Sequence, residues 1–234
     1  MEQQDILSMT LPELQATVQE LGEPKFRAKQ IFNWLHQKRV TDFSEMTTLS
    51  LPFRERLASD FCINRLKIAK RLASSVDDTV KYLYELPDGN YVETVCMQYH
   101  HGTSLCISTQ VGCRMGCRFC ASAIAGFVRN LTPAEMLLQI YETERAQNCK
   151  ISSLVLMGIG EPLDNFDNVL RFLQLLSDPN GYGMSLRHVT VSTCGVVPKI
   201  LELAEQRLGL TLSVSLHCPN DAGRSAIMPI NRSY

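Results

Sequence analysis

Residues 113–120 read CRMGCRFC, and the chemistry of the whole chain centres on this stretch. Its three cysteines follow a C-x3-C-x2-C spacing: Cys113, Cys117 and Cys120. Gly112 and Gly116 flank them, at positions where a backbone has to fold closely. Three thiolates on one tight loop can bind three irons of a cubane cluster, which leaves the fourth iron open. A metal centre with an open position binds a substrate or a cofactor.

Two other interpretations of this stretch fit the residues less well. A closed zinc site needs a fourth ligand nearby, and Cys106 and Cys149 form no paired C-x2-C arrangement with the three cysteines. A buried helical stripe is disfavoured because glycines and two arginines, Arg114 and Arg118, lie in the same stretch. The sequence therefore favours an iron–sulfur cluster over zinc or core packing.

The composition is that of a globular protein. The chain has 234 residues, of which 45% are hydrophobic, so it can bury the core of one or two domains. Its net charge is -1, so contact with nucleic acid has to come from a local basic patch. The 9 cysteines are scattered and odd in number, and no signal peptide precedes them. We therefore expect a reduced, cytoplasmic protein, and one without a membrane span, because its apolar runs are too short.

Residues 1–62 predict a small helical domain. A capping box at residues 10–13, TLPE, starts the first helix, and Gly22 ends it. The second helix has a buried face and a basic face: Phe26, Ile31, Phe32 and Leu35 against Lys25, Arg27, Lys29, Lys38 and Arg39. A third helix is predicted at about residues 51–61. An exposed Trp34 or His36 beside the basic face could bind an RNA backbone, and a solvated charged face is the equally open alternative.

Strand patterns follow at residues 65–71, 79–86 and 91–99. The turn string PDGN at residues 87–90 joins the last two as a hairpin. Alternation along the second strand of the hairpin places Glu93 on the face opposite Val92 and Thr94. Taken alone, such a glutamate faces solvent.

From residue 104 onward, apolar strands alternate with amphipathic helices. The predicted strands are residues 105–111, 153–157, 188–192 and 211–216, and the predicted helices are residues 133–147, 166–176 and 198–206. This pattern predicts parallel strands, and parallel barrels carry their chemistry in the loops that follow the strands. A motif follows each strand: the cluster loop, GIGEP at 158–162, STCG at 192–195 and HCPND at 217–221.

Two of these loops have a chemical interpretation. Gly158 and Gly160 allow a backbone to approach a ligand closely, and Glu161 can accept a hydrogen bond from a cationic amine. Ser215 and His217, taken alone, fit a hydrogen-bonded strand end equally well.

The strings CISTQVGC at 106–113 and RFCA at 118–121 resemble the cluster loop of the radical S-adenosylmethionine superfamily and, within it, of the RlmN family of RNA methyltransferases. The resemblance runs from about Leu11 to Tyr234. It implies an α/β fold, a partial (β/α) barrel of the radical SAM type, with an N-terminal helical accessory domain and a β-hairpin connector. The implied divisions are a helical RNA-binding domain, a strand-rich connector and the partial barrel, at residues 1–62, 63–103 and 104–234.

The resemblance also implies a role for each matching residue. Cys113, Cys117 and Cys120 would hold a 4Fe-4S cluster. S-adenosylmethionine would be bound by Gly160, Glu161, Ser192, Ser215, Leu216 and His217. Glu93, in the string VETV, would be a proton acceptor in the active site. Cys106 would resolve a covalent RNA adduct by forming a transient disulfide, whereas the residues alone predict a buried thiol on a strand.

The activity implied by the resemblance is methylation of C2 of adenosine in 23S rRNA and tRNA. An aromatic carbon is a poor nucleophile for ordinary methyl transfer, so the family uses a 5'-deoxyadenosyl radical made from S-adenosylmethionine. An electron donor such as flavodoxin reduces the cluster. A cysteine near the C-terminus of the relatives, in an ACGQ string, carries the methyl group.

The sequence departs from the family pattern at its end. It finishes at residues 228–234, MPINRSY, and contains no ACGQ string. We expect this chain to hold the cluster and part of the cofactor site without completing methyl transfer by itself. Two alternatives stay open: a Cfr-like enzyme that methylates C8 of adenosine, and a non-catalytic RNA-binding fragment with a structural metal site.

Overall fold

The chain passes from a helical segment through antiparallel strands to alternating strands and helices, in a computed structural model that describes residues 3–234. The strands are β1 (Gln4–Asp5), β2 (Phe61–Cys62), β3 (Lys67–Ala73), β4 (Val80–Glu85), β5 (Tyr91–Tyr99), β6 (Gly102–Cys106), β7 (Gln110–Gly112), β8 (Phe127–Asn130), β9 (Ile151–Leu156), β10 (Val189–Thr193) and β11 (Thr211–Val214). The helices are α1 (Leu11–Glu20), α2 (Phe26–Asn33), α3 (Leu51–Asp60), α4 (Pro133–Gln147), α5 (Phe166–Ser177), α6 (Val197–Glu205) and α7 (Asp221–Ile227). Within residues 3–234, no helix is both long and apolar enough to cross a membrane.

One seven-stranded sheet organises the molecule, in the order β11-β10-β9-β6-β5-β4-β3. Strands β6, β9, β10 and β11 are parallel, and α4, α5 and α6 connect each to the next. Strands β3, β4 and β5 extend this sheet as antiparallel hairpins. The predicted partial (β/α) barrel is therefore confirmed, and the strands of the connector belong to the same sheet.

The two faces of the sheet differ in burial because side chains alternate along each strand. One face is buried, and Tyr82, Thr94, Leu105, Leu154 and Val191 on it are almost inaccessible. The other face is open, and a row of directly paired residues crosses six strands on it: Lys81, Val95, Cys106, Val155, Thr190 and Thr211. Glu93 lies two residues from Val95 and therefore faces the open side, as its strand pattern predicts.

Helix α4 lies between the sheet and the N-terminal helices. Its first twelve residues, 133–144, are buried. On the sheet side, Gln139 accepts a hydrogen bond from the Thr94 hydroxyl at 2.8 Å. On the other side, the Tyr141 hydroxyl lies 2.9 Å from Nδ1 of His36. One continuous hydrophobic core therefore links the helical segment to the sheet.

The N-terminal helices follow their sequence signals except on the second helix. Thr10 and Glu13 form the predicted capping box of α1. The prediction that Phe26 is buried is wrong, since its side chain is 57% exposed. Of the two alternatives predicted to be exposed, Trp34 is partly buried and His36 is completely buried. A π-helical turn at Trp34–Lys38 adds a residue to the last turn and rotates His36 towards the core.

The predicted single strand at residues 105–111 is two strands. Strand β6 ends at Cys106, and β7 pairs antiparallel with β8 in a separate two-stranded ribbon. The chain changes direction at Ser108, whose hydroxyl donates to the Glu93 carbonyl at 2.6 Å and accepts from the Ile159 amide at 3.0 Å. The cluster loop is therefore carried by the ribbon, above the C-terminal edge of the parallel strands.

The buried His36 predicts a pH dependence of stability. Burial lowers its pKa from 6.5 to about 4, against a smaller opposite effect of Asp178. Between these pH values the unfolded chain takes up a proton that the folded chain excludes, so the free energy of unfolding falls as the pH falls. At about 1.4 kcal/mol per pKa unit, the loss is about 3 kcal/mol.

The replacement His36→Gln removes this contribution, and urea unfolding of both proteins at about pH 7 and about pH 4.5 measures it. Asp5, whose pKa burial raises to about 6, acts in the opposite sense in the same pH window. Asp5 is present in both proteins, so the difference between their pH dependences of unfolding free energy isolates the contribution of His36. An equal pH dependence in the two proteins would contradict the prediction.

Candidate active site

A cavity of about 260 Å³ lies at the C-terminal ends of β9, β10 and β11, against the cluster loop. Residues from all four predicted loops line it: Cys113, Met115, Cys117, Phe119, Cys120, Leu156, Met157, Gly158, Gly160, Glu161, Pro162, Ser192, Thr193, Cys194, Ser215, His217 and Met228. A larger hollow of about 540 Å³, beside Arg65 and Glu142, contains none of the predicted site residues. The site is therefore where a parallel barrel carries its chemistry.

Backbone contacts hold the cluster loop in place. The Cys113 amide donates to the Gly126 carbonyl at 3.0 Å, which closes the loop at its base. Gly112, at φ +73°, allows this closure, because a Cβ there would lie 1.7 Å from the Gly126 oxygen. On the other side, the Arg118 amide donates to the Ile227 carbonyl at 2.9 Å and joins the loop to the end of α7.

The three loop cysteines line one cavity. Among the described residues, no group of three or more histidine, cysteine or acidic side chains is arranged to hold one ion. Two thiolates on one zinc can be no farther apart than twice the Zn–S bond of about 2.3 Å, whereas in a cubane each thiolate binds a different iron. Burial raises the pKa of the Cys113 and Cys117 thiols, and coordination to a metal would deprotonate them.

The two glycines after β9 lie where this loop packs closely against the segment that follows β6. A Cβ on Gly158 would lie 2.7 Å from the carbonyl of Ile107. Gly160 has φ +108°, and a Cβ on it would lie 2.6 Å from Cβ of Gln110. Both glycines line the cavity through their backbone. The sequence pattern located these glycines, and the structure shows which neighbours require them.

Glu161 joins two of the loops. Its side chain is 3% exposed. One carboxylate oxygen accepts from the Leu163 amide at 3.0 Å and the other from the Cys194 amide at 2.8 Å. The Cys194 thiol is a further hydrogen-bond partner of this carboxylate. A carboxylate has about four acceptor positions, so it can still accept from a donor in the cavity.

The ends of β10 and β11 supply the remaining predicted contacts. Ser192, Ser215 and His217 line the cavity, and the Ser215 amide donates to the Thr193 carbonyl at 2.9 Å. The ring of His217 packs against Phe119 of the cluster loop, with centroids 4.5 Å apart. Leu216 does not line the cavity and its side chain is 57% exposed, so any contact with a ligand there is through its backbone.

Glu93 and Cys106 lie beside the cavity, on the open face of the sheet. Cys106 of β6 pairs directly with Val155 of β9, which pairs with Thr190 of β10. Ser192 lies two residues beyond Thr190 and therefore on the same face of the sheet. The Glu93 carboxylate lies 2.6 Å from Nζ of Lys81, and both side chains are 40% exposed. Burial raises the pKa of the Cys106 thiol. Both residues therefore lie on the open face of the sheet, and neither lines the cavity.

Two residues that position the site were missed by the sequence analysis. The completely buried Gln110 accepts from the Glu161 amide at 2.9 Å and donates to Asn130 and Asp164, each at 2.8 Å. The glutamine at the end of the polar string STQ, residues 108–110, just before the cluster loop, was the signal for it. The other residue is Arg224 of α7, for which no motif gave a signal.

A half barrel whose parallel strands end beside a C-x3-C-x2-C loop defines the radical S-adenosylmethionine class of proteins. The family model described as "Radical SAM superfamily" matches residues 107–234. A second model, described as "Ribosomal RNA large subunit methyltransferase N-terminal domain", matches residues 4–63. The chain therefore belongs to the RlmN family of the radical SAM superfamily.

Individual relatives agree with this family. The "Probable dual-specificity RNA methyltransferase RlmN" of Lachnoclostridium phytofermentans is 52% identical over 233 residues, which are 98% of this chain and 65% of the relative. The protein of the same description from Clostridium novyi is 48% identical over 230 residues, 98% of this chain and 67% of the relative. The crystal structure of a radical SAM methyltransferase from Sphaerobacter thermophilus superposes with a TM-score of 0.92 at 37% identity, over 99% of this chain and 69% of that one. The chain thus spans about two thirds of the length of these relatives.

Proposed function

We propose that this chain binds a 4Fe-4S cluster and S-adenosylmethionine and forms the radical-generating part of an RNA methyltransferase that acts on C2 of adenosine. The observation that carries the proposal is the meeting of three cysteines, the glycine-rich loop and two strand ends in one cavity. When bound, the reduced cluster would supply reductive cleavage of S-adenosylmethionine to a 5'-deoxyadenosyl radical. The cavity walls would shield that chemistry from water.

The chain's own residues bind and orient the cofactor in this proposal. Cys113, Cys117 and Cys120 hold the cluster. Glu161 accepts a hydrogen bond from the cofactor's amino group with its remaining acceptor capacity. The other contacts to the cofactor come from exposed backbone and hydroxyl groups around the cavity: Gly160, Ser192, Ser215, Leu216 and His217.

Residues on the open face act on the RNA in this proposal. Glu93 accepts a proton from the adenine ring, and the Lys81 ammonium lies 2.6 Å from its carboxylate. Cys106 would resolve the covalent RNA adduct by forming a disulfide with the methyl-carrying cysteine. As the S–S bond forms, the bond between that cysteine's sulfur and the RNA-bound carbon breaks, and the carbon takes a proton to become the methyl group. This sequence has no ACGQ string to supply the methyl-carrying cysteine. Both residues are reached from the uncovered side of the sheet, where a polynucleotide can enter.

The RNA partner is proposed to contact the helical segment at residues 1–62. The match of this segment to a ribosomal RNA methyltransferase domain supports the proposal, as do the exposed Lys25 and Lys29 beside the exposed Phe26. The substrates proposed are 23S rRNA and tRNA, with a reductant such as flavodoxin as the electron donor. A cytoplasmic location stays a prediction.

The test of this function uses protein reconstituted anaerobically with iron and sulfide, reduced with dithionite and given S-adenosylmethionine. We expect visible absorbance from a cluster and formation of 5'-deoxyadenosine. Colourless protein that binds zinc and retains RNA would instead support the structural-metal alternative. Adding labelled cofactor and adenosine-containing RNA tests whether this chain transfers methyl groups, and mass spectrometry of the digested RNA separates C2 from C8.

A further inference from the structure

Arg224 of α7 lies at the centre of the strand ends that border the cavity. Its side chain is nearly buried, with 9% of the residue exposed. One terminal nitrogen of the guanidinium donates to the carbonyls of Ser215 and Leu216, each at 2.8 Å, and the other donates to the carbonyl of Cys194 at 2.6 Å. The remaining nitrogen, Nε, donates to Oδ1 of Asn231 at 2.7 Å. A planar fork with fixed donors is suited to holding two strand ends at once.

The charge of this guanidinium has no counter-charge among the described residues. The partners of Arg224 are carbonyls, an amide and the Met228 thioether, and none of the ion pairs in the structure includes it. An arginine remains protonated in proteins, and a buried charge is normally paired. The hydrogen bonds engage all three nitrogens of the guanidinium, and the positive charge itself stays uncompensated.

The C-terminal end of α7, close to Arg224, packs against the cluster loop. The Ile227 carbonyl accepts from the Arg118 amide at 2.9 Å. A Cβ on Gly116 of the loop would lie 3.6 Å from Cγ of Pro229. Met228, which accepts a hydrogen bond from Arg224, also lines the cavity beside the three cysteines. The Met228 side chain therefore lies between the uncompensated charge of Arg224 and the cavity.

A cubane cluster held by three thiolates carries a net negative charge and gains a further one when it takes up an electron. A nearby cation in a partly dry site stabilises the reduced form more than the oxidised form. Resting on the proposed function, we propose that Arg224 is a positioning residue that holds the cofactor-binding strand ends together and raises the reduction potential of the cluster. The electron comes from the external donor, and no bond to Arg224 forms or breaks.

The replacement Asn231→Asp separates the two parts of this proposal. It places a carboxylate where Nε of Arg224 already donates and so neutralises the charge, while the three bonds to the carbonyls remain. We expect the cluster to become about tenfold harder to reduce at a fixed potential, which is about 59 mV for a one-electron couple. The affinity for S-adenosylmethionine should change by less than about twofold, because the strand ends stay in place.

The replacement Arg224→Lys tests the other part, because it retains the positive charge but loses the planar guanidinium that bonds to several carbonyls. We expect an unchanged potential and cofactor binding weakened about tenfold. Arg232→Gln, at an exposed position of the same segment, is the matched control and should change neither quantity. The potential is measured by an anaerobic redox titration followed by electron paramagnetic resonance, and cofactor binding by the change in cluster absorbance.

Iron and sulfide content, together with circular dichroism, identify variants that are folded and loaded. An Asn231→Asp protein with a full cluster and the wild-type potential would overturn the electrostatic part of the proposal. Wild-type affinity in Arg224→Lys would overturn the positioning part. If the wild-type chain forms no cluster, both the proposed function and this inference fail. If the wild-type chain forms a cluster and the variants behave like the wild type, only this inference fails.

Discussion

The replacement Cys117→Ala should abolish cluster assembly and, with it, the formation of 5'-deoxyadenosine. The loop supplies only three thiolates, and each would bind a different iron of the proposed cluster. Loss of a residue that merely supports a metal ligand costs about 10- to 100-fold in affinity, so loss of a ligand itself should exceed about 100-fold. Iron and sulfide analysis, visible absorbance and a deoxyadenosine assay on the reconstituted protein measure the effect.

A matched control for this replacement is Cys149→Ser. Cys149 is a partly buried thiol that precedes β9, at the opposite end of the strand from the cavity. This variant should load as much iron as the wild type. Equal loading of Cys117→Ala and Cys149→Ser would contradict the cluster assignment, whereas the same loss in Cys113→Ala and Cys120→Ala would support it.

The replacement Gly112→Ala should destabilise the protein by about 3 kcal/mol or more and prevent loading of the cluster. Two costs combine at this position: a left-handed backbone at φ +73°, and a Cβ that would lie 1.7 Å from the Gly126 oxygen. The first costs about 1–2 kcal/mol and an overpacked contact about 1–3 kcal/mol. Because the clash is with backbone, the loop can relieve it only by opening at its base.

The replacement Gly89→Ala separates these two costs. Gly89 has a similar backbone, φ +81°, and a Cβ there would have no atom within 4 Å. We expect it to cost about 1–2 kcal/mol and to leave the cluster content unchanged. Urea unfolding and iron analysis of both variants make the comparison. If Gly112→Ala costs no more than Gly89→Ala, the tight closure of the loop is not required.

Much of the architecture follows from local patterns in the sequence. Capping at Thr10, alternation around Glu93 and the helix at Pro133–Gln147 are short-range signals, and each appears in the structure. The convergence of four loops on one cavity was also predictable, because parallel strands bring their C-terminal ends to one edge. The cysteine spacing indicated the chemistry of the site before any fold was known.

Other features depend on contacts between distant segments, and local patterns carry no information on them. His36 is buried because a π-helical turn rotates it towards Tyr141, more than one hundred positions away in the chain. Gln110 and Arg224 act through bonds to Glu161, Cys194 and other residues that only folding brings near. The sequence by itself thus determined most of the elements and the edge of the sheet where the predicted site residues meet. Only the tertiary structure decided which buried polar groups hold that edge together, because their partners are defined by packing and not by spacing along the chain.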